Sequence, residues 1–192
     1  YTWITGSSSF NYAGHYGAVT VPDLANHPGA RENASSWTTA DGTMWLFGGK
    51  GITETQTGFL NDLWSYDISS GIWTWRSGSN TTNDLGVYTT LGVSSATAKP
   101  SRRQNAATWT GKDNCIYIFG GQRDPSSNPF NNLNDLWKFD PSTNQWTWLT
   151  GSSSVNDPGS FGAQGVAATS NSPSSRFGAL YWTDTSGNFW LF

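Results

Sequence analysis

The chain has one cysteine, one methionine and two histidines among 192 residues, and only 12% of it is charged. Each scarcity excludes something. A single cysteine, Cys115, leaves no partner for an internal disulfide. It sits in the apolar run CIYIFGG and reads as a small packed hydrophobe. His15 and His27 share one loop with no third ligand at metal spacing, so no zinc or other metal site is expected. Neither histidine has a repeat counterpart or a fixed partner for a Ser-His-Asp arrangement. There are 10 basic residues against 13 acidic ones, with no basic run, so no nucleic-acid groove is expected. No apolar stretch approaches the roughly 18 residues of a membrane-spanning helix. No leader is visible either, but the sequence opens at Tyr1, inside a repeat and without Met, so the start of the precursor is expected to lie outside it.

What the chain does have is aromatic: 12 Trp, 10 Phe and 7 Tyr, with 22 Gly. That composition suits short strands joined by tight turns and argues against disorder. Self-similarity organises it. RENASSWTTADGTMWLFGG begins at Arg31, RQNAATWTGKDNCIYIFGG at Arg103 and RFGALYWTDTSGNFWLF at Arg176, with Trp37, Trp109 and Trp182 each six residues after the Arg. FLNDLWSYDISSGIWTWRSG (59–78) recurs as NLNDLWKFDPSTNQWTWLTG (132–151), and YTWITGSSS at the start recurs as WTWLTGSSS at 146–154. Even the stretches between units recur: YGAVTVPDLANHPGAR, YTTLGVSSATAKPSR and FGAQGVAATSNSPSSR share an aromatic, a Val, a Pro and an Arg. An unstructured linker has no reason to repeat, so these are expected to be ordered loops of roughly two dozen residues packed on their own unit. Within a unit, ENASSWTT and TMWLFGG flank the hairpin signal ADG, LNDLWSYD is a third strand and GIWTW a fourth. Four short antiparallel strands per unit is the count of a propeller blade.

The repeated residues have structural readings. Gly48-Gly49 and Gly120-Gly121 end an apolar strand where positive φ and close backbone approach are needed; no helix or Lys-Ser/Thr follows to make a phosphate loop. All twelve Trp fall on repeat positions, including the pairs Trp64 and Trp137, and Trp73 and Trp146, and blade-on-blade packing requires this where a single sugar platform does not. Asp62 and Asp135 are expected to cap turns through their own side chains rather than act as catalytic carboxylates. Arg31, Arg103 and Arg176 are expected to start the first strand and bond carbonyls at the crowded end. Two N-glycosylation sequons are present: Asn80 in an exposed loop, and Asn33, expected two residues into a strand.

These motifs resemble the kelch repeat. The resemblance rests on Gly48-Gly49, Asn61-Asp62-Leu63-Trp64, Tyr66-Asp67 and Trp73, and on Gly120-Gly121, Asn134-Asp135-Leu136-Trp137, Phe139-Asp140 and Trp146. It implies an all-β fold of four-stranded antiparallel β-propeller blades. A kelch unit is about 50 residues; the excess here is the long loop, as in kelch proteins of secreted and cell-surface type. The expected organisation is a last strand of a preceding blade plus inter-blade loop (1–30), repeat 1 with its loop (31–102), repeat 2 with its loop (103–175) and the first two strands of repeat 3 (176–192). That is about 2.5 blades, expected to belong to a larger ring or assembly. The implied function is a non-catalytic extracellular or cell-surface scaffold with protein partners, including self-association of incomplete blades into a fibrous assembly, and with no cofactor. The alternatives are a glycan-binding propeller, for which Tyr12 and Phe130 are candidate aromatics, and a fragment of a hydrolase or a galactose-oxidase-like enzyme. The lone Cys115 and the two histidines in one loop do not match that oxidase's copper site.

Overall fold

Asp41-Gly42 turns the chain back on itself, with Gly42 at φ 84° and the Asp41 carboxylate accepting from Thr39 Oγ1 at 2.6 Å and Thr43 N at 3.1 Å. The turn joins β2 (Ser35–Thr38) to β3 (Met44–Phe47), which pair antiparallel. The computed structural model describes residues 2–124 and 130–192 and contains no helix among them. Beside β3 lies β6 (Leu63–Asp67) and beside that β7 (Ile72–Ser77), giving a four-stranded sheet in the order β2-β3-β6-β7. The second unit repeats it with β8 (Ala107–Thr110), β9 (Ile116–Asp124), β10 (Asn131–Asp140) and β11 (Gln145–Thr150), in the same order from one edge to the other. A third sheet has two strands, β12 (Tyr181–Thr183) and β13 (Phe189–Leu191). The fold is thus all-β: two complete four-stranded antiparallel blades and the opening hairpin of a third.

The first strands of successive blades touch one another, β2 against β8 and β8 against β12, which places them innermost and the Trp-Thr-Trp strands β7 and β11 outermost. Three hydrogen bonds recur at each junction. Gly49 N donates to Arg103 O at 2.9 Å, Arg103 N to Leu60 O at 3.0 Å and Asn105 N to Asn33 O at 3.0 Å. At the next junction Gly121 N donates to Arg176 O, Arg176 N to Leu133 O and Gly178 N to Asn105 O, at 2.9, 3.0 and 2.9 Å. The double glycines make this possible. Gly48, Gly49, Gly120 and Gly121 all have φ between 63° and 97°, and a Cβ on Gly48 would lie 2.6 Å from Arg103 O.

Four details depart from the sequence reading. The arginines do not start the first blade strand. Arg31–Glu32 (β1) pairs instead with Lys50–Ile52 (β4), which pairs with Thr57–Phe59 (β5) in a separate small sheet. Asn33 is therefore not inside a strand: it turns the chain at φ 56°, as Asn105 does at 53° and Gly178 at 62°, and the blade strand begins after it. In the second unit β9 and β10 continue as strands past Gly120-Gly121, with a shift of register between Leu133 and Leu136, so they are about twice the length of β3 and β6. Residues 2–4 form no strand in this structure; Tyr1 lies outside the described residues.

The main core lies between blades one and two. Trp45, Phe47 and Leu63 pack with Ile116, Ile118, Trp137, Phe139 and Trp146. Trp64 and Trp137 are fully buried, and each such aromatic contributes about 2–3 kcal/mol. Not every repeat-position Trp is core: Trp3, Trp182 and Trp190 are 66%, 49% and 48% exposed, because no blade packs on their faces.

Candidate functional site

The most concentrated chemistry sits where each long loop meets the blade that follows it, so the loops bridge two units rather than packing only on their own as expected, and it occurs twice. Asp62 follows Asn61 at the entry to β6, with Trp64 two residues on. Its carboxylate is fully buried and receives Arg31 Nη1 at 2.7 Å, Arg31 Nη2 at 2.8 Å, Tyr16 Oη–H at 2.7 Å and Trp64 Nε1–H at 2.7 Å. In the second blade Asp135 receives Arg103 Nη1 and Nη2 at 2.7 Å each, Tyr88 Oη–H at 2.6 Å and Trp137 Nε1–H at 2.7 Å. The two arginines also donate to Gly48 O and Gly120 O, both at 3.0 Å.

The sequence reading of Asp62 and Asp135 as turn caps is corrected here. The residues that do cap through neighbouring amides and hydroxyls are Asp67 and Asp140. Asp62 and Asp135 instead neutralise a buried guanidinium, and both carboxylate oxygens are occupied. Burial opposes the charge on Arg103, but the adjacent Asp135 carboxylate more than offsets it and the guanidinium is held charged. Arg31 behaves the same way against Asp62. Burial first, and then the carboxylate, push the Tyr88 phenol up to about 12 and the Tyr16 phenol up as well. A carboxylate already bonded by four donors, one of them a phenol, offers no general base and no open ligand position. The tyrosines carry the signal that the sequence reading passed over: they are the aromatic residues that open the recurring loop pattern.

The loops are held at two further points. Asn61 Nδ2 donates to Pro100 O at 2.9 Å and Asn134 Nδ2 to Pro173 O at 3.2 Å, tying each blade to the loop after it. Thr20 N donates to Trp75 O and Gly92 N to Trp148 O, each at 2.7 Å, so loops one and two lie along the exposed edges of β7 and β11. Covering an edge strand in this way blocks edge-to-edge pairing. The turns that do so leave apolar side chains in solvent: Val19 and Val21 in the first loop, Leu91 and Val93 in the second, Val166 in the third.

Other candidates fall as follows. Trp146 is buried, with Nε1 donating to Ser77 Oγ at 3.1 Å, and Trp73 is half-buried against Tyr66 and Trp64. Asn80 and Asn33 are both exposed. Cys115 is buried and its thiol is pushed up to about 11 by burial and by Asp113, which removes it as a nucleophile at neutral pH. His15 and His27 face each other across a bridge pair with ring centroids 6.3 Å apart, and His15 Nδ1 lies 3.1 Å from Glu54 Oε1. No group of three or more metal-capable side chains converges among the described residues. Tyr12 is half-exposed and stacked on His27, and Phe130 is half-exposed.

Residues 18–172 match the family model described as the KLHDC2/KLHL20/DRC7 Kelch-repeats domain. No curated protein matches the chain. Among solved structures, that of YjhT is similar over 67% of this chain and 40% of its own, with 21% identity and a TM-score of 0.46. The chain therefore spans less than half the length of that protein.

Proposed function

We infer what this chain does from one premise: it belongs to the kelch-repeat family, whose blades serve as protein-interaction scaffolds. We propose that it is a non-catalytic scaffold of the extracellular or cell-surface type, and that its partners are proteins held by the turns of the long loops. One observation carries this reading. The buried charges and phenols of each blade are used up on one another, whereas the turns on the outer rim present Val19, Val21, Leu91, Val93 and Val166 to solvent at equivalent places. Solvent-facing apolar residues repeated at blade spacing suit a partner that reads several blades together. The test is a photo-crosslinking amino acid placed at Leu91 or Val21, with a control at Ser69 on a β6–β7 turn. Protein adducts from the loop positions, lost on Val93→Ser, are expected. Adducts that form equally from Ser69 would remove the loops from the interaction.

A second reading is favoured by a cleft of about 570 Å³ beside the first loop, lined among others by Ser7, Tyr12, Asn26, His27 and Trp73. Aromatic faces beside hydroxyl and amide groups are the chemistry that takes sugars. Chemical-shift changes confined to Tyr12 and Trp73 on titration with oligosaccharides would favour it over the scaffold.

A further inference from the structure

The three long loops share a frame and differ at one place in it. An antiparallel bridge closes each loop: His15 with His27, Val87 with Lys99, Ser160 with Ser172. Gly86 N donates to Asp84 Oδ1 at 2.6 Å and Gly159 N to Asp157 Oδ1 at 2.8 Å. Arg102 N donates to Asp84 O and Ser175 N to Asp157 O, both at 2.9 Å. Asp84 and Asp157 are therefore equivalent, as are Lys99 and Ser172. In the second loop Lys99 Nζ sits 2.7 Å from Asp84 Oδ2, and Asn61 Nδ2 lies 3.3 Å from Oδ1. In the third loop Asp157 Oδ2 accepts no hydrogen bond from the described residues. Ser172 Oγ instead accepts from Ser160 N at 3.1 Å, and Asn134 Nδ2 donates to Pro173 O at 3.2 Å. Asp157 is the only charged residue over 152–175. A polar cavity of about 230 Å³ lies beside it, lined among others by Asn134, Ser152, Ser170 and Ser172. The blade after a loop does not cover this position: Asp84 and Lys99, with a complete blade on either side, keep side chains 21% and 25% exposed. Nor does that blade supply a cation there, since the side-chain partners of Asp84 come from its own loop and from the preceding blade.

We propose that the cavity at Asp157 receives the lysine side chain of a partner protein. The second loop specifies the fit, because its own Lys99 ammonium holds the equivalent carboxylate oxygen. Asp157 Oδ1 is already used by Gly159 N, so one oxygen is left. One oxygen suits the point charge of an ammonium, whereas the guanidinium fork of an arginine is matched only by two. The carboxylate is held in place by the Gly159 amide before anything binds, so little ordering is left to oppose binding. The inference rests on the scaffold reading and names one side chain that the partner brings to it.

The experiment titrates the full 192-residue chain, labelled with nitrogen-15, with the peptide acetyl-Gly-Lys-Gly-amide at low ionic strength and reads amide chemical shifts. Saturable shifts at Gly159 and Ser172 are expected. The norleucine peptide, which keeps the stem and lacks the charge, is expected to cause none. Asp157→Asn is expected to weaken binding of the lysine peptide at least tenfold. Ser172→Lys copies Lys99 into the third loop and is expected to abolish binding while raising the melting temperature. A thermal melt of each variant confirms that it is folded. Crosslinking at the loop turns tests the scaffold and this titration tests the cavity, so either can fail alone. Absence of saturable shifts, equal binding by the Asp157→Asn or Ser172→Lys chain, an arginine peptide that binds as well, or the same shifts from calcium chloride would overturn the proposal. Butylammonium binding more tightly than the peptide would assign the cavity to a free amine and overturn the protein source.

Discussion

Thr20 occupies in the first long loop the turn position that Gly92 fills in the second. Both backbones are left-handed, at φ 65° and 75°, and both amides donate to the outer blade strand at 2.7 Å. Gly165 fills the same place in the third loop at φ 77°. A β-branched side chain pays for this conformation, at roughly 1–2 kcal/mol for an L-residue. Thr20→Gly is therefore expected to stabilise the chain by about 1 kcal/mol, part of the strain relief being offset by the freer unfolded chain. Gly92→Thr should cost a similar amount. Thermal melts are expected to move by about 2–4 °C in opposite directions; a lower melting temperature for Thr20→Gly would show that the threonine side chain is wanted there.

The Arg103–Asp135 pair is fully buried, so removing one partner strands a charge. Asp135→Asn is expected to cost about 3–5 kcal/mol. Tyr88→Phe takes one donor of four from the same carboxylate and is expected to cost about 1–2 kcal/mol. Phe161, the third-loop equivalent, is exposed, so Phe161→Ala should be nearly neutral in the isolated chain. Urea denaturation of the three variants checks the order. Equal losses for Asp135→Asn and Tyr88→Phe would mean that the ion pair contributes no more than the phenol.

The same cluster sets an alkaline limit. The Tyr88 phenol is raised from 10.0 to about 12 in the folded chain by burial and then by Asp135, so between these values the unfolded chain binds fewer protons than the folded one. Stability is then fully present below about pH 10 and is lost as pH rises through the folded value. Tyr16 is raised by burial and by Asp62 and acts in the same direction. In urea melts from pH 8 to 12, the Tyr88→Phe chain should show a shallower decline above pH 10 than the parent. Parallel curves would exclude Tyr88 as a contributor.

How far the sequence reveals this molecule depends on what repeats. The blade and its strand order are legible because Gly-Gly, Asn-Asp-Leu-Trp and Trp-Thr-Trp recur in one order, and strands with these periods have few ways to pair. The role of Asp62 is not legible, because an Asp beside a turn reads as a cap unless its guanidinium is known to lie across the sheet, 31 residues earlier in the chain. The small sheet β1-β4-β5 is hidden for a related reason: Asn33 looks like any polar strand residue until its left-handed backbone is seen. Tyr16 and Tyr88 are visible as a repeated aromatic, yet only the geometry of the hydroxyl on the carboxylate says why two of the three loops carry Tyr.

Glycosylation tests the extracellular part of the proposed function. Asn80 is exposed in an irregular segment after β7, whereas the Asn33 carbonyl is held by Asn105 N at the blade junction. Intact mass of native material is expected to fall on glycosidase treatment, and Asn80→Gln should abolish the shift while Asn33→Gln leaves it. An unshifted native mass would remove this support for secretion.

The last prediction uses one residue type at one repeat position. Trp109 and Trp182 are equivalent, six residues after Arg103 and Arg176. Trp109 is 5% exposed: Phe189 stacks on it at 5.3 Å and 15°, Tyr181 meets it edge-on at 5.6 Å, and its Nε1–H donates to Trp182 O at 3.1 Å. Trp182 is half exposed and its main aromatic contact is Trp190, stacked at 5.9 Å and 3° within its own hairpin. The sequence treats the two alike, and packing does not. Trp109→Ala is expected to cost about 3–5 kcal/mol through the cavity left between blade two and the third hairpin. Trp182→Ala loses only a half-buried stack, expected at about 1 kcal/mol. If chemical denaturation gave the two variants equal losses, the energy of these tryptophans would lie within each blade rather than in the contact between one blade and the next.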